Sequence, residues 1–115
     1  MNNPPMLIET TVLMRKAFEH IGPECQSRVL SIAVGSDVNV GENDRIAVAT
    51  GPGAAPGEGK VTVMLRHDQL PSTDRHLCSF ETQDLAVAFE IAGVIREHSK
   101  LLRHETAVRQ DVATA

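Results

Sequence analysis

The sequence predicts an α+β domain: an N-terminal helix, a four-stranded antiparallel sheet in hairpin order, and a long C-terminal helix packed on one face. Apolar residues recur at helical spacing near the start of the chain and again near its end. Between these stretches lie four short segments in which apolar and polar residues alternate, separated by turn-forming sequences. Strands that are grouped between helices, rather than alternating with them, are typical of α+β proteins.

The opening segment, NPPMLIETTVLMRKAFEHIGPE, predicts the first helix. Residues at spacings of four and three share one helical face, namely Leu7, Thr11, Met14, Phe18 and Ile21. Gly22 and Pro23 then end the helix. Because LIETTVL is rich in β-branched residues, a short strand followed by a shorter helix is the alternative.

The strands are predicted at 28–40, 45–50, 60–67 and 75–80. The first contains a break at Gly35-Ser36. The turn sequence GEND joins it to the second strand, so this pair is expected to form a hairpin. The sequence DQLPSTD, at 68–74, is expected to be the turn between the last two strands.

The Gly-rich segment GPGAAPGEGK, at 51–60, invites comparison with a phosphate-binding loop. Such a loop requires Gly where Ala54 stands, and Ser or Thr where Val61 stands. It must also open a helix, whereas the following KVTVMLRH predicts a strand. We therefore interpret the segment as a flexible connection between strands or, alternatively, as a lid over a small ligand.

The last predicted element is a long helix over 82–104, with Thr82 as its N-cap and Asp84 in its first turn. It carries two adjacent apolar rows, although a helix at the edge of a domain needs only one. The row expected to contact a second chain, as in a homodimer, is Val87, Ile91, Val94 and Leu101. In the alternative, the first helix covers this row within a monomer. Residues 1–104 form the predicted domain, and 105–115 extend the helix or fray.

The same helix carries a row of basic residues that is a candidate site for an anion: Arg96, Lys100 and Arg103. Glu97 and Glu105 interrupt the row, so the alternative is a solvated face with ion pairs along the helix. The net charge of −4 and the absence of Trp and Tyr argue against a nucleic-acid partner.

His67, His76 and Cys78 are the candidate metal ligands. The two-residue period of a strand places His67 on the apolar face of the third strand, and His76 with Cys78 on that of the fourth. If these strands pair, the three side chains lie close together, with Asp68 and Asp74 nearby in the turn. Because His, Cys and Asp are zinc ligands, the pattern predicts a zinc site. The alternatives are hydrogen-bonded histidines at the rim of the core, or a catalytic acid-base pair.

The composition limits the class of protein. A chain of 115 residues fits one domain, and its core must be aliphatic because the aromatic residues are three Phe. No apolar run reaches the ~18 residues of a membrane span, and the N-terminal sequence has no secretory signal. Cys25 and Cys78 are then expected to be reduced thiols in a cytoplasmic protein.

No catalytic template fits the sequence. We therefore expect a non-enzymatic protein-interaction module, such as an adaptor, chaperone or regulator, that acts as a homodimer through its C-terminal helix. One alternative is a metal-binding protein, or a metal-dependent or acid-base enzyme, built on His67, His76 and Cys78, with zinc as its cofactor. Another is a small-ligand binder that uses the loop at 50–60 as its lid.

Overall fold

The computed structural model describes residues 6–114, with side-chain positions for 7–70 and 72–99. The elements follow in the order β1 Met6–Ile8, α1 Thr10–His20, α2 Gly22–Gln26, β2 Val29–Val34, β3 Val38–Val40, β4 Asp44–Pro52, β5 Gly59–His67, β6 Leu70–Thr82 and α3 Leu85–Thr114. Strands β2, β6, β5 and β4 form, in that order, one antiparallel sheet, on which α1 and α3 pack. This architecture confirms the predicted α+β class.

The core lies between the sheet and these two helices. β5 shows the predicted alternation, since Val61, Val63 and Leu65 have no exposed surface. Fully buried Phe80 of β6 stacks on Phe18 of α1, with ring centroids 6.4 Å apart. From α3 the core receives Val87, Ala88, Ile91, Ala92 and Ile95. The helices therefore cover the same face of the sheet.

β6 is an inner strand of the sheet, because it pairs with β2 on one side and with β5 on the other. The sequence predicts only 75–80 for this strand, whereas β6 extends from Leu70 to Thr82. The predicted turn is present but shorter than 68–74. The chain reverses at Asp68-Gln69, and the rest of that segment is strand.

An ion pair across the ladder links the start of β6 to the end of β5. Arg66 of β5 donates from Nη2 to Asp74 Oδ2 of β6 at 2.8 Å, and from Nε to the same carboxylate at 3.2 Å. A two-point contact between a guanidinium and a carboxylate orients both side chains. It therefore holds the start of β6 against the end of β5.

β2 does not pair as the sequence predicts. The hairpin expected between 28–40 and 45–50 is wrong, because β2 pairs with β6 while β4 pairs with β5. The predicted break occurs at Gly35, where the backbone of His76 leaves no room for a side chain. After the break, β3 pairs with β1 in a separate two-stranded sheet. Strands that follow one another along the chain are often neighbours but need not be.

The N-terminal segment follows the alternative reading, in which a short strand precedes a shorter helix. β1 places Ile8 in the core at 1% exposure, so Leu7 does not belong to a helical face. α1 ends at His20, and Gly22 follows with a φ of 83°. A left-handed residue of this kind commonly ends a helix and is nearly always Gly.

Asp84, and not Thr82, caps α3. The carboxylate oxygen Oδ1 of Asp84 accepts a hydrogen bond from the Val87 N–H at 2.9 Å. Thr82 is the last residue of β6, and its buried hydroxyl donates to the Asp84 carbonyl oxygen at 2.7 Å. Within the described residues, no helix combines the length and apolar character needed to cross a membrane.

The close approach of α3 to β5 requires Gly at position 59. A Cβ on Gly59 would lie 2.7 Å from the Asp84 carbonyl oxygen and 2.8 Å from the Leu85 Cα. Both are backbone atoms, which cannot swing aside as the end of a side chain can. By contrast, a Cβ on Gly51 of β4 would meet open space.

We expect Gly59→Ala to lower the free energy of unfolding by about 1–3 kcal/mol, because the added methyl group forces α3 away from β5. Gly51→Ala is the matched control, and we expect it to change that free energy by less than about 0.5 kcal/mol. Urea denaturation followed by circular dichroism measures both. Equal effects of the two substitutions would contradict the described packing of α3.

Candidate functional site

The free edge of β2 is the candidate functional site. β2 ends the sheet, with β6 on one side and, among the described strands, no neighbour on the other. Its sequence, VLSIAV, contains no charged residue. Three of its apolar side chains stay exposed: Leu30 by 53%, Ile32 by 39% and Val34 by 40%. An uncharged apolar edge is a template for pairing with another chain, which proteins usually block.

The backbone of β2 presents hydrogen-bonding groups at this edge. The Gly35 N–H donates to the Leu77 carbonyl oxygen at 2.8 Å, so it points toward β6. Successive residues of an antiparallel strand point their N–H and C=O groups to opposite sides, so these groups of Ala33, like those of Gly35, point toward β6. The N–H and C=O groups of Ile32 and Val34 consequently point outward, away from β6. Each of these two residues offers one donor and one acceptor to an extended segment.

A groove of about 330 Å³ adjoins one end of this edge. Its lining residues come from α1, α2 and β2: Phe18, Gln26, Val29, Leu30, Ser31 and Ile32. The Gln26 side-chain amide donates to the Phe18 carbonyl oxygen at 2.9 Å, which ties α2 to α1. The groove is wide enough for an apolar side chain of a partner.

A β-bulge at Leu30 limits the length of the regular edge. Val29 pairs with Thr82 and Ser31 pairs with Glu81, so Leu30 is the extra residue. A bulge interrupts the ladder and increases the local twist, which hinders the addition of a further strand. The regular part of the edge begins at Ser31 and continues to Gly35.

The row of α3 that was expected to contact a second chain is covered within the chain. Val87 and Ile91 are 3% and 0% exposed, and Val94 is partly buried and packs against the core. α3 contacts α1, β1 and the sheet, so Val87 and Ile91 are covered by other elements of the same chain. Leu101 lies outside the residues whose side chains are described.

Arg96 is the member of the predicted basic row that has a described side chain, since Lys100 and Arg103 lie outside that range. Arg96 Nη2 donates to the Val48 carbonyl oxygen at 2.9 Å, so it ties α3 to β4. An anion site on this row stays a prediction.

The structure does not bring His67, His76 and Cys78 together as a ligand set. Cys78 is fully buried, whereas His76 is exposed, because a bulge at Leu77 breaks the two-residue period that would place them on one face. His67 Nδ1 accepts a hydrogen bond from the Gln69 N–H at 3.1 Å. Among the described residues, no three His, Cys, Asp or Glu side chains are grouped to hold a metal ion. The zinc site therefore stays a prediction without support from the geometry.

The carboxylates beside these histidines bind arginines instead. Asp68 Oδ1 accepts a hydrogen bond from Arg45 Nε at 2.6 Å, and Asp74 binds Arg66 as described above. The hydrogen bonds from Arg66 hold the pKa of Asp74 below its ordinary value. These contacts favour a structural role for both aspartates at the end of the β5–β6 hairpin.

Both cysteines are buried thiols. Burial raises the pKa of Cys78 to about 12. Burial, and then the nearby Glu90 carboxylate, raise the pKa of Cys25. A reactive cysteine has a lowered pKa, so neither thiol has the environment of a nucleophile. His20 of α1 lies against His98 of α3, with ring centroids 4.8 Å apart, and the sequence does not predict this contact.

The Gly-rich segment forms a compact turn. β4 and β5 pair as far as Pro52 and Gly59, which leaves a short loop between them. Within it, the Gly53 N–H donates to the Glu58 carbonyl oxygen at 2.8 Å, and Glu81 of β6 accepts a backbone hydrogen bond from the loop at 3.3 Å. Its role as a lid over a ligand stays a prediction.

Comparison with known proteins identifies no relative of this chain. No protein-family model matches it, and neither the curated proteins nor the solved structures contain a match.

The raised pKa of Cys78 predicts a loss of stability in alkaline solution. In the unfolded chain the thiol ionises near 9.0, and in the folded protein only at about 12. The contribution of the neutral, buried thiol to the free energy of unfolding is fully present at pH values below the pKa of the unfolded chain. Above it the unfolded chain binds fewer protons, so the free energy of unfolding falls as the pH rises, by at most about 1.4 kcal/mol per pH unit for this group.

Urea denaturation at several pH values between about 8 and 11 measures this slope. We expect a smaller fall in Cys78→Ala than in the wild-type protein, because the substitution removes the titrating group. Parallel slopes in the two proteins would show that the Cys78 thiol is not shielded as described.

Proposed function

We propose that the protein is a non-enzymatic interaction module that binds an extended segment of protein chain along the free edge of β2. The bound segment adds a strand to the sheet, bonds to the backbone of Ile32 and Val34, and places an apolar side chain in the groove beside Phe18. An adaptor or regulator of other proteins can act in this way. The supporting observation is the exposed, uncharged edge of β2.

The contrast between the two edges of the sheet supports this proposal. β4, at the opposite edge, contains Arg45 and Pro52, and the Arg96 guanidinium binds the Val48 carbonyl oxygen. Charged residues, proline and covering side chains are means by which proteins block pairing at an edge. The sequence of β2 contains no charged residue and no proline, so its edge is the more open one.

The proposed class of function, a protein-interaction module, is the one that the sequence predicts. The proposed contact, however, lies on β2 and not on α3. The contact expected through α3 used Val87 and Ile91, which the chain buries in its own core. α3 does expose Leu85 by 42% and Phe89 by 56%. A helix, however, has its backbone groups bonded internally, whereas β2 offers backbone groups as well as apolar side chains.

We further propose that the module works in a reducing compartment such as the cytoplasm. Cys25 and Cys78 are both free thiols in the structure. Small domains in oxidising compartments commonly rely on disulfides for stability, whereas cytoplasmic proteins keep their thiols reduced. The two free, buried cysteines favour the second class.

A labelled peptide of alternating Val and Thr serves as a probe for an edge that accepts a strand. We expect saturable binding by fluorescence anisotropy, weakened by Leu30→Lys at least about tenfold, because a charge beside the groove opposes burial of an apolar segment. Leu70→Lys is the matched control. Leu70 is also a strand residue with 53% exposure, but it lies at the β5–β6 hairpin, so its variant should bind as the wild-type protein does.

Thermal denaturation of both variants checks that each retains its fold. The proposal is overturned if the peptide binds Leu30→Lys as tightly as the wild-type protein. It is also overturned if the wild-type protein, diluted to nanomolar concentration, shows no binding at millimolar peptide.

A further inference from the structure

We infer that the segment bound at the β2 edge is β2 of a second copy of this chain, which joins the two sheets into one. This inference rests on the proposed function and names its partner. The two β2 strands run antiparallel around a two-fold axis at Ala33. Ile32 of each chain then lies opposite Val34 of the other.

The geometry of an antiparallel ladder restricts the register of such a pair. Residues directly opposite each other point to the same face, so a two-fold axis perpendicular to the sheet passes between two copies of one residue. The regular part of the edge runs from Ser31 to Gly35, and Ala33 is its middle residue. With the axis at Ala33, the outward N–H and C=O groups of Ile32 and Val34 all find partners. The bulged Leu30 does not have to join the ladder.

The exposed side chains match in this register. Ile32 and Val34 pair on β6 with Phe80 and Cys78, which are fully buried, so all four point toward the helices. In the dimer, Ile32 of one chain packs on Val34 of the other, and the apolar surface of both is covered. The axis passes between the two copies of Ala33. Their side chains lie on the face of the sheet opposite to Ile32 and Val34, and they are small enough to face each other.

Charges beyond the ends of β2 favour an antiparallel copy over a parallel one. The strand is preceded by Arg28 and followed, after Gly35 and Ser36, by Asp37. With the axis at Ala33, the end of β2 that is followed by Asp37 lies beside the end of the other copy that is preceded by Arg28. Each end of the paired strands therefore brings one acidic and one basic residue to the same side of the dimer. A parallel copy would instead place like charges side by side, which is unfavourable across neighbouring strands.

The first helix enlarges the contact. α1 packs on both β6 and β2, and its Phe18 lines the groove at the edge. The two-fold axis leaves both copies of α1 on the same face of the joined sheet, one on each side of the seam. Because the paired strands are short, the interface falls among the small ones, below about 1,200 Å², which are typically weak and transient. We therefore expect a dimer that dissociates on dilution to low micromolar concentration.

Ala33→Cys tests the register directly. In the proposed pair, position 33 faces its own copy at a site without direct hydrogen bonds, where Cα atoms lie about 4.5 Å apart. That separation allows a disulfide. The native thiols Cys25 and Cys78 are buried and do not compete. On mild oxidation we expect a disulfide dimer from Ala33→Cys, whereas the exposed control Leu70→Cys stays mainly monomeric.

Sedimentation of the unmodified protein provides a second readout. We expect a dimer that dissociates on dilution, and a monomer for Ile32→Pro at the same concentrations. Proline removes the outward N–H of residue 32 without removing a bond to β6, so the monomer fold is retained. Circular dichroism of the variant checks this point.

The outcomes separate this inference from the proposed function. If the Val–Thr peptide binds but the wild-type protein stays monomeric at millimolar concentration and Ala33→Cys forms no disulfide, self-pairing is overturned while the proposed function stands. If the dimer forms but Ser31→Cys crosslinks faster than Ala33→Cys, the proposed register is overturned. If neither the peptide nor a second copy binds, both proposals fail.

Discussion

The pairing of β2 with β6 is the constraint on which the rest of the structure depends. β6 already has β5 on its other side, so β2 must take an outer position in the sheet. Phe80 of β6 is fully buried between β5 and α1, whereas its cross-strand neighbour Ile32, one strand further out, keeps 39% of its surface exposed. The pairing that completes the core therefore also creates an apolar edge.

The helices leave this edge uncovered because their contacts with the sheet lie mainly on the other three strands. α3 lies over β4 and β5, and α1 lies mainly over β6. The start of α1 is held near the end of β2, where Asp37 Oδ1 accepts a hydrogen bond from the Thr10 N–H at 3.0 Å. The bulge at Leu30 then leaves only a short part of the edge regular, which favours limited and specific pairing over aggregation.

Local patterns in the sequence predict the helices and strands, but they do not always predict which strands pair with each other in the sheet. The alternation of Val61, Val63 and Leu65 identifies β5 because a strand's inward and outward positions depend on its own residues. The neighbour of β2 depends on contacts between residues far apart along the chain, so the sequence suggested the wrong hairpin. The bulge at Leu77 has no clear sequence signal, and it places His76 and Cys78 on opposite faces of β6. The free edge did have a signal: VLSIAV is apolar and uncharged, and it ends at a glycine. Its exposure could not be known before its position in the sheet.

Amide hydrogen exchange, measured residue by residue by NMR at two protein concentrations, tests most directly whether β2 is the interaction edge. If it is, the Ala33 N–H, which bonds to β6, is protected at both concentrations. The N–H groups of Ile32 and Val34 exchange rapidly in dilute protein and become protected in concentrated protein. Equal exchange rates for Ile32 and Val34 at both concentrations, up to the millimolar range, would contradict pairing of β2 with a second copy.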